Sequence, residues 1–151
     1  MTDLEEREVT HREERVTHAF RAWSPGQMVA GLIGLLLTVM GGVALARTLP
    51  ADSLTGPTAE VFGVGHTALM GIIAIIVGLV FLSQASSPFA VQRGLVGLGA
   101  MTLAFGLIVV IEPAAFDGAL GIGQTGGWLY SAIGVISVVT GIISPTVTSS
   151  E

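Results

Sequence analysis

Cysteine and lysine are both absent from this 151-residue chain, and charge of either sign is scarce. Without cysteine there is no disulfide, no thiolate metal ligand and no cysteine nucleophile. Without lysine, arginine carries every fixed positive charge, which by itself implies nothing about mechanism. Charged residues make up 11% of the chain, less than half the share usual in a globular protein. Ten of the seventeen lie before Trp23, so residues 24–145 cannot furnish the charged surface that a water-soluble domain needs. The net charge of −5 comes from the N-terminal tail and loops, with no basic patch. That excludes nucleic acid as a natural partner.

What is abundant is apolar sequence, at 51% of residues. It falls into four runs, at about 27–46, 61–82, 91–111 and 126–144. Each is near the ~20 residues that a helix needs to cross a bilayer. Breakers separate them: Ser24-Pro25-Gly26, the stretch from Pro50 to Pro57, Ser86-Ser87-Pro88, Pro113 and Ser144-Pro145. In lipid such runs must be helical, because an unpaired backbone amide there costs several kcal/mol. The expected fold is therefore an all-α membrane protein, a four-transmembrane-helix bundle. Residues 1–23 form a charged tail, 24–146 the membrane domain and 147–151 a short second tail. Ala44-Leu45-Ala46 has the look of a signal-peptide cleavage site, but the long, Glu-rich leader before it favours retention of the first span.

Orientation follows from arginine. Arg7, Arg12, Arg15, Arg21 and Arg93 fall on one face, and Arg47 on the other beside Asp52, Glu60, Glu112 and Asp117. The arginine-rich side should be cytoplasmic, with both termini there and the protein in the plasma membrane.

Set against itself at an offset of 63, the chain matches without a gap. Ser24-Pro25 falls on Ser87-Pro88, Gly31-Leu32-Ile33-Gly34-Leu35 on Gly94-Leu95-Val96-Gly97-Leu98, and Pro50-Ala51 on Pro113-Ala114. The segment from Gly71 to Gly78 falls on Gly134 to Gly141. This pattern predicts two tandem two-helix repeats inserted in the same, parallel sense.

Glycines recur at sevens: Gly34 and Gly41, Gly71 and Gly78, Gly99 and Gly106, and Gly127, Gly134 and Gly141. Residues seven apart share one helical seam. In lipid, helices associate through close backbone approach over small residues, so these glycines are expected in the internal seams. Gly31, Gly42 and Gly94 remain for a second small face, suited to a homo-oligomer.

Among chemistry-bearing residues, His66 is the ionisable side chain that falls within an apolar run, near its start. Beside Glu60, Glu112 and Arg47 it could form a polar site for a proton or divalent metal. The simpler reading is a neutral imidazole bonded to a carbonyl or hydroxyl, Thr67 or Tyr130 for example. Arg47 and Glu112, ending two spans on one side, are expected to pair. Trp23, Trp128 and Tyr130 are expected as interfacial anchors. In the tail, Val9, Val16, Phe20 and Trp23 make a narrow apolar stripe suited to a membrane surface or a partner helix. His11, Glu14 and His18 share a face, but His11-Arg12-Glu13-Glu14 is not a zinc-protease signature.

Three segments, Trp23-Ser24-Pro25-Gly26-Gln27, Gly65-His66-Thr67 and Gly126-Gly127-Trp128-Leu129-Tyr130, carry a resemblance. The chain is similar over about residues 20–146 to a group of small, uncharacterised actinobacterial four-helix membrane proteins. That resemblance implies a topology and a membrane location, and no activity. The residues together point to a non-enzymatic membrane protein without cofactor or catalytic residue. It would be an accessory subunit or scaffold binding a membrane-protein partner or its own copies within the lipid bilayer. The alternative is a small-solute, proton or metal transport component with its site near His66 and Glu112.

Overall fold

The computed structural model describes residues 24–49, 53–87 and 91–144. The charged tail with Trp23, the breakers Pro50, Pro88 and Pro145, Asp52, and residues 147–151 lie outside them. Five helices and a two-stranded hairpin follow in order. They are α1 (Pro25–Thr48), β1 (Ala59–Val61), β2 (Val64–His66), α2 (Ala68–Ala85), α3 (Val91–Ile111), α4 (Pro113–Leu120) and α5 (Gln124–Ile143). Four of them, α1, α2, α3 and α5, are long and apolar enough to cross a membrane.

Ser24 starts α1 through a capping box. Its Oγ accepts from the Gln27 amide at 3.3 Å, while Gln27 Oε1 accepts from the Ser24 amide at 3.0 Å. Pro25 at the first helical position needs no amide partner. The same Gln27 donates from Nε2 to the Ala85 carbonyl at 2.9 Å, joining the start of α1 to the end of α2.

The structure departs from the expected runs in two places. The second run was expected to be helical from residue 61, but residues 59–66 form an antiparallel hairpin, with Val61 opposite Val64 and Ala59 opposite His66. The turn between them has two residues, Phe62 at φ 52° and Gly63 at φ 77°. Two left-handed residues in succession make a type I′ connection, whose twist matches that of the flanking strands. Helix α2 begins only after Thr67, whose Oγ1 accepts from the Met70 amide at 3.3 Å. The second change follows Pro113, where the connection is the short helix α4, closed by Gly121 at φ 70°.

The four long helices pair as α1 with α2 and α3 with α5, through glycine. A Cβ placed on Gly34 would come within 2.7 Å of the Gly78 carbonyl oxygen, and one on Gly78 within 2.7 Å of that of Gly34. Gly71 meets Gly41 in the same way, its Cβ falling 2.9 Å from the carbonyl oxygen. Residue numbers rise along α1 as their partners fall along α2, so the pair is antiparallel. In the second pair, a Cβ on Gly106 would fall 2.8 Å from the Gly127 carbonyl oxygen and one on Gly99 3.1 Å from that of Gly134. A Cβ on Gly141 would fall 3.0 Å from the Val96 amide nitrogen. Each seam glycine lies where any side chain would strike a neighbouring backbone.

The ungapped repeat does not carry this packing through both helices. Gly71 and Gly78 map by the offset of 63 onto Gly134 and Gly141, and all four lie in seams. Gly34 maps onto Gly97, whose Cβ would meet nothing within 4 Å. The seam is instead taken by Gly99, two residues on. Two residues rotate a helix by ~200°, so α3 presents a different face from the one the alignment assigns. Gly94, expected on an outer face, abuts the Gln84 side chain within the chain; Gly42 is open.

Hydroxyls in the long helices bond to their own backbone. Thr38 donates to Gly34 O at 2.7 Å, Thr102 to Leu98 O at 2.8 Å and Ser137 to Ile133 O at 2.8 Å. Buried Ser131 Oγ has no partner among the described residues. Apart from the tie between Gln27 and Ala85, helix association therefore rests on shape and close approach, with large apolar side chains such as Phe81, Leu95 and Ile133 buried in the core.

Candidate functional site: a clasp between the two helix pairs

The only fully buried ionisable side chain among the described residues is His66, at the end of β2. Strand alternation turns Val61, Val64 and His66 inward, leaving Glu60 exposed. The imidazole lies across the boundary between the two helix pairs. Its Nδ1 is 3.0 Å from the Val64 carbonyl oxygen, and its Nε2 is 3.3 Å from the Tyr130 hydroxyl on α5. A carbonyl can only accept, so Nδ1 carries the proton and Nε2 is left to accept from Tyr130. Both ring nitrogens are thereby used. Burial pushes the His66 pKa below its ordinary 6.5, opposed by the hydrogen bond to Val64. The ring is a neutral structural element at pH 7.

Thr67, the next residue, makes a second tie. Its amide donates to the Leu120 carbonyl at 3.0 Å and its Oγ1 to that of Ala119 at 3.1 Å. These are carbonyls at the C-terminal end of α4, which lack acceptor duty within a helix. Gly121, which terminates α4, sits under the same junction: a Cβ there would lie 2.6 Å from Thr58 Cγ2 and 3.1 Å from the Thr67 amide. Gly65 abuts the carbonyl of Gly121. The hairpin thus anchors the first helix pair to the connector of the second.

Tyr130, expected as a boundary anchor, is buried at 4% exposure, whereas Trp128 is 59% exposed. Helical spacing accounts for the difference, because two residues along α5 turn the side chain toward the core. Tyr130 packs edge-on to Phe105 with centroids 5.7 Å apart, and Phe105 does the same with Phe116 of α4 at 5.9 Å. Such edge-to-face contacts position the hydroxyl that His66 receives.

The acidic and basic candidates are not drawn into this site. Arg47, Glu60 and Glu112 are exposed. The expected pair between Arg47 and Glu112 is replaced by a hydrogen bond from Arg47 Nη1 to the Glu60 backbone carbonyl at 2.7 Å. The reason is reach: β1 lies against the end of α1, which puts the Glu60 carbonyl beside the guanidinium. Among the described residues, no three His, Asp or Glu side chains gather as metal ligands would. A crevice of about 190 Å³ reaches Tyr130 but not His66, and its walls are almost wholly hydrocarbon.

The expected imidazole bonded to a carbonyl and a hydroxyl is what the structure shows, with Tyr130 rather than Thr67 as the hydroxyl partner. His66 and Tyr130 are 64 positions apart, and neither Thr67 nor Gly121 stood out as a junction. Compared with protein-family models, curated proteins and solved structures, the chain matches none.

Proposed function

We propose that this chain is a non-enzymatic, multi-pass protein of the plasma membrane, with both termini cytoplasmic, acting as an accessory subunit or scaffold for another membrane protein. One observation carries the reading most directly. The buried ionisable group, which a proton or metal pathway would need free, has both ring nitrogens committed inside the fold. A polar route to it from the crevice is lacking, since the walls there are hydrocarbon and His66 is not among them. The outward faces of the four long helices are apolar, with Leu32, Met101 and Ile142 between 66% and 72% exposed. Open glycines Gly42 and Gly97 lie among the outward positions. These suit lateral contact with lipid and with another helix. The likeness to small actinobacterial four-helix membrane proteins fits the same reading.

Photo-crosslinking residues placed at Gly42 and Gly97 in cells test it. A discrete adduct with one other membrane protein is expected, and adducts with lipid alone would count against a scaffold. Orientation is tested separately by a reporter active only when exported, fused after Glu151, which should stay silent.

A further inference from the structure

The two helix pairs are zipped internally by glycine, but between them the packing is looser. The crevice of about 190 Å³ lies there, walled by Leu37 of α1, Ala74 and Val77 of α2, and Met101 and Phe105 of α3. Leu120, the last residue of α4, roofs it on the side of the hairpin. Its depth follows from helix rise: Leu37, Met101 and Phe105 lie 6–11 residues before the ends of α1 and α3, or ~9–17 Å along the axis. In a membrane, that is hydrocarbon depth.

Three observations limit what can enter. First, Met101 and Ile73 line the crevice and are 72% and 37% exposed, so it opens sideways onto the outward faces of α2 and α3. Second, the two hydroxyls in its wall have their protons committed: Thr102 donates to the Leu98 carbonyl and Tyr130 to His66. Among the described residues the wall has no proton free to donate and is almost wholly hydrocarbon, whereas water needs two to four partners to reside in a cavity. Third, the surface with which the crevice merges belongs to helices long and apolar enough to cross a membrane, where lipid chains would cover it. We infer that this crevice is a lateral binding site for one acyl chain of a membrane phospholipid, inserted between α2 and α3 beneath Leu120. The inference rests on the membrane reading above.

A Phe105→Trp variant, in a background where Trp23 and Trp128 are Phe, places a fluorophore in the crevice wall. In vesicles of phosphatidylcholine brominated at mid-chain, more than half of its emission should be lost relative to unbrominated vesicles. Filling the crevice with Ala74→Phe should restore most of it. Equal emission in both vesicle types would overturn the proposal, as would quenching that Ala74→Phe leaves unchanged, which marks lipid at the perimeter only. Strong quenching by aqueous acrylamide would overturn it too, since water would then be the occupant. A measurement without the tryptophan guards against misfolding: by native mass spectrometry the wild-type chain should retain one phospholipid, and Ala74→Phe should not. Retention by both would sink the assignment. A chain released from membranes by alkaline carbonate would fail both readings. One that stays in the vesicles but shows no bromine quenching fails this one alone.

Discussion

The two helix pairs use one device to different lengths. In α3–α5, three glycines of α5 spaced by seven, Gly127, Gly134 and Gly141, each meet the backbone of α3. In α1–α2 there are two such layers, Gly41 with Gly71 and Gly34 with Gly78. Seven residues further along stand Gln27 and Ala85, and there the pair is closed by the hydrogen bond from Gln27 Nε2. A glycine contact and a side-chain hydrogen bond thus occupy equivalent layers. The contrast teaches that close approach, once established by two glycines, can be prolonged by either route. Their other ends differ as well: a β-hairpin joins α1 to α2, and a short helix joins α3 to α5.

The comparison can be broken most severely at the glycines. Gly71→Leu and Gly134→Leu should each eliminate monodisperse folded protein on size exclusion, since overpacking commonly costs ~1–3 kcal/mol and here the obstacle is backbone. Gly97→Leu, in open space, should leave yield and melting unchanged. If Gly97→Leu is as harmful as Gly134→Leu, the repeat alignment rather than the observed seam describes α3.

Next in size is the clasp between the pairs. Tyr130→Phe and His66→Ala should each lower stability by ~1–3 kcal/mol, the cost of leaving a buried polar partner unsatisfied. Thermal melting of the two single variants and the double variant would show non-additivity if the bond is real. The same clasp predicts a pH dependence. Because the folded His66 pKa is depressed below 6.5 by burial, the unfolded chain binds its proton more readily. Stability should therefore fall as pH drops below about 6.5, levelling off beneath the depressed folded value. His66→Gln should flatten that slope; an unchanged slope would assign it to other groups.

A smaller effect is expected at the hydrogen-bonded layer, where Gln27→Ala should cost ~1 kcal/mol in melting experiments through the lost cap and the lost tie to Ala85. The smallest is at the hairpin tip. Phe62 holds φ 52° while 76% exposed, and Phe62→Asn should raise stability by ~0.5–1 kcal/mol because Asn accepts left-handed geometry more readily.

Much of this architecture was legible because the four main helical segments are long and apolar, and residues 91–111 were delimited as found. The seven-residue spacing marked out glycines that lie in seams because only backbone contact imposes such a period. The features that the sequence marks poorly are short or distant. Val61 to His66 continues an apolar run, and a few apolar residues cannot distinguish a strand from a helix start. Phe62-Gly63 held a hint of a two-residue turn, as Pro113 and Gly121 did of a helix between them. The capping box of Ser24 and Gln27 was likewise readable three residues apart. Of the clasp, Tyr130 was legible as one of two hydroxyls His66 could take, whereas the tie from Thr67 to the end of α4 was not, since nothing local links them.

The apolar outward faces, with Leu32, Met101 and Ile142 well exposed, have a consequence for recognition. A helix whose outward face is hydrocarbon offers neighbours contour but almost no polarity. Selection among lateral partners must then operate through bulk and curvature, as a lock discriminates by the cut of a key. A search for variants that change companionship should vary the size of outward side chains and leave charge alone.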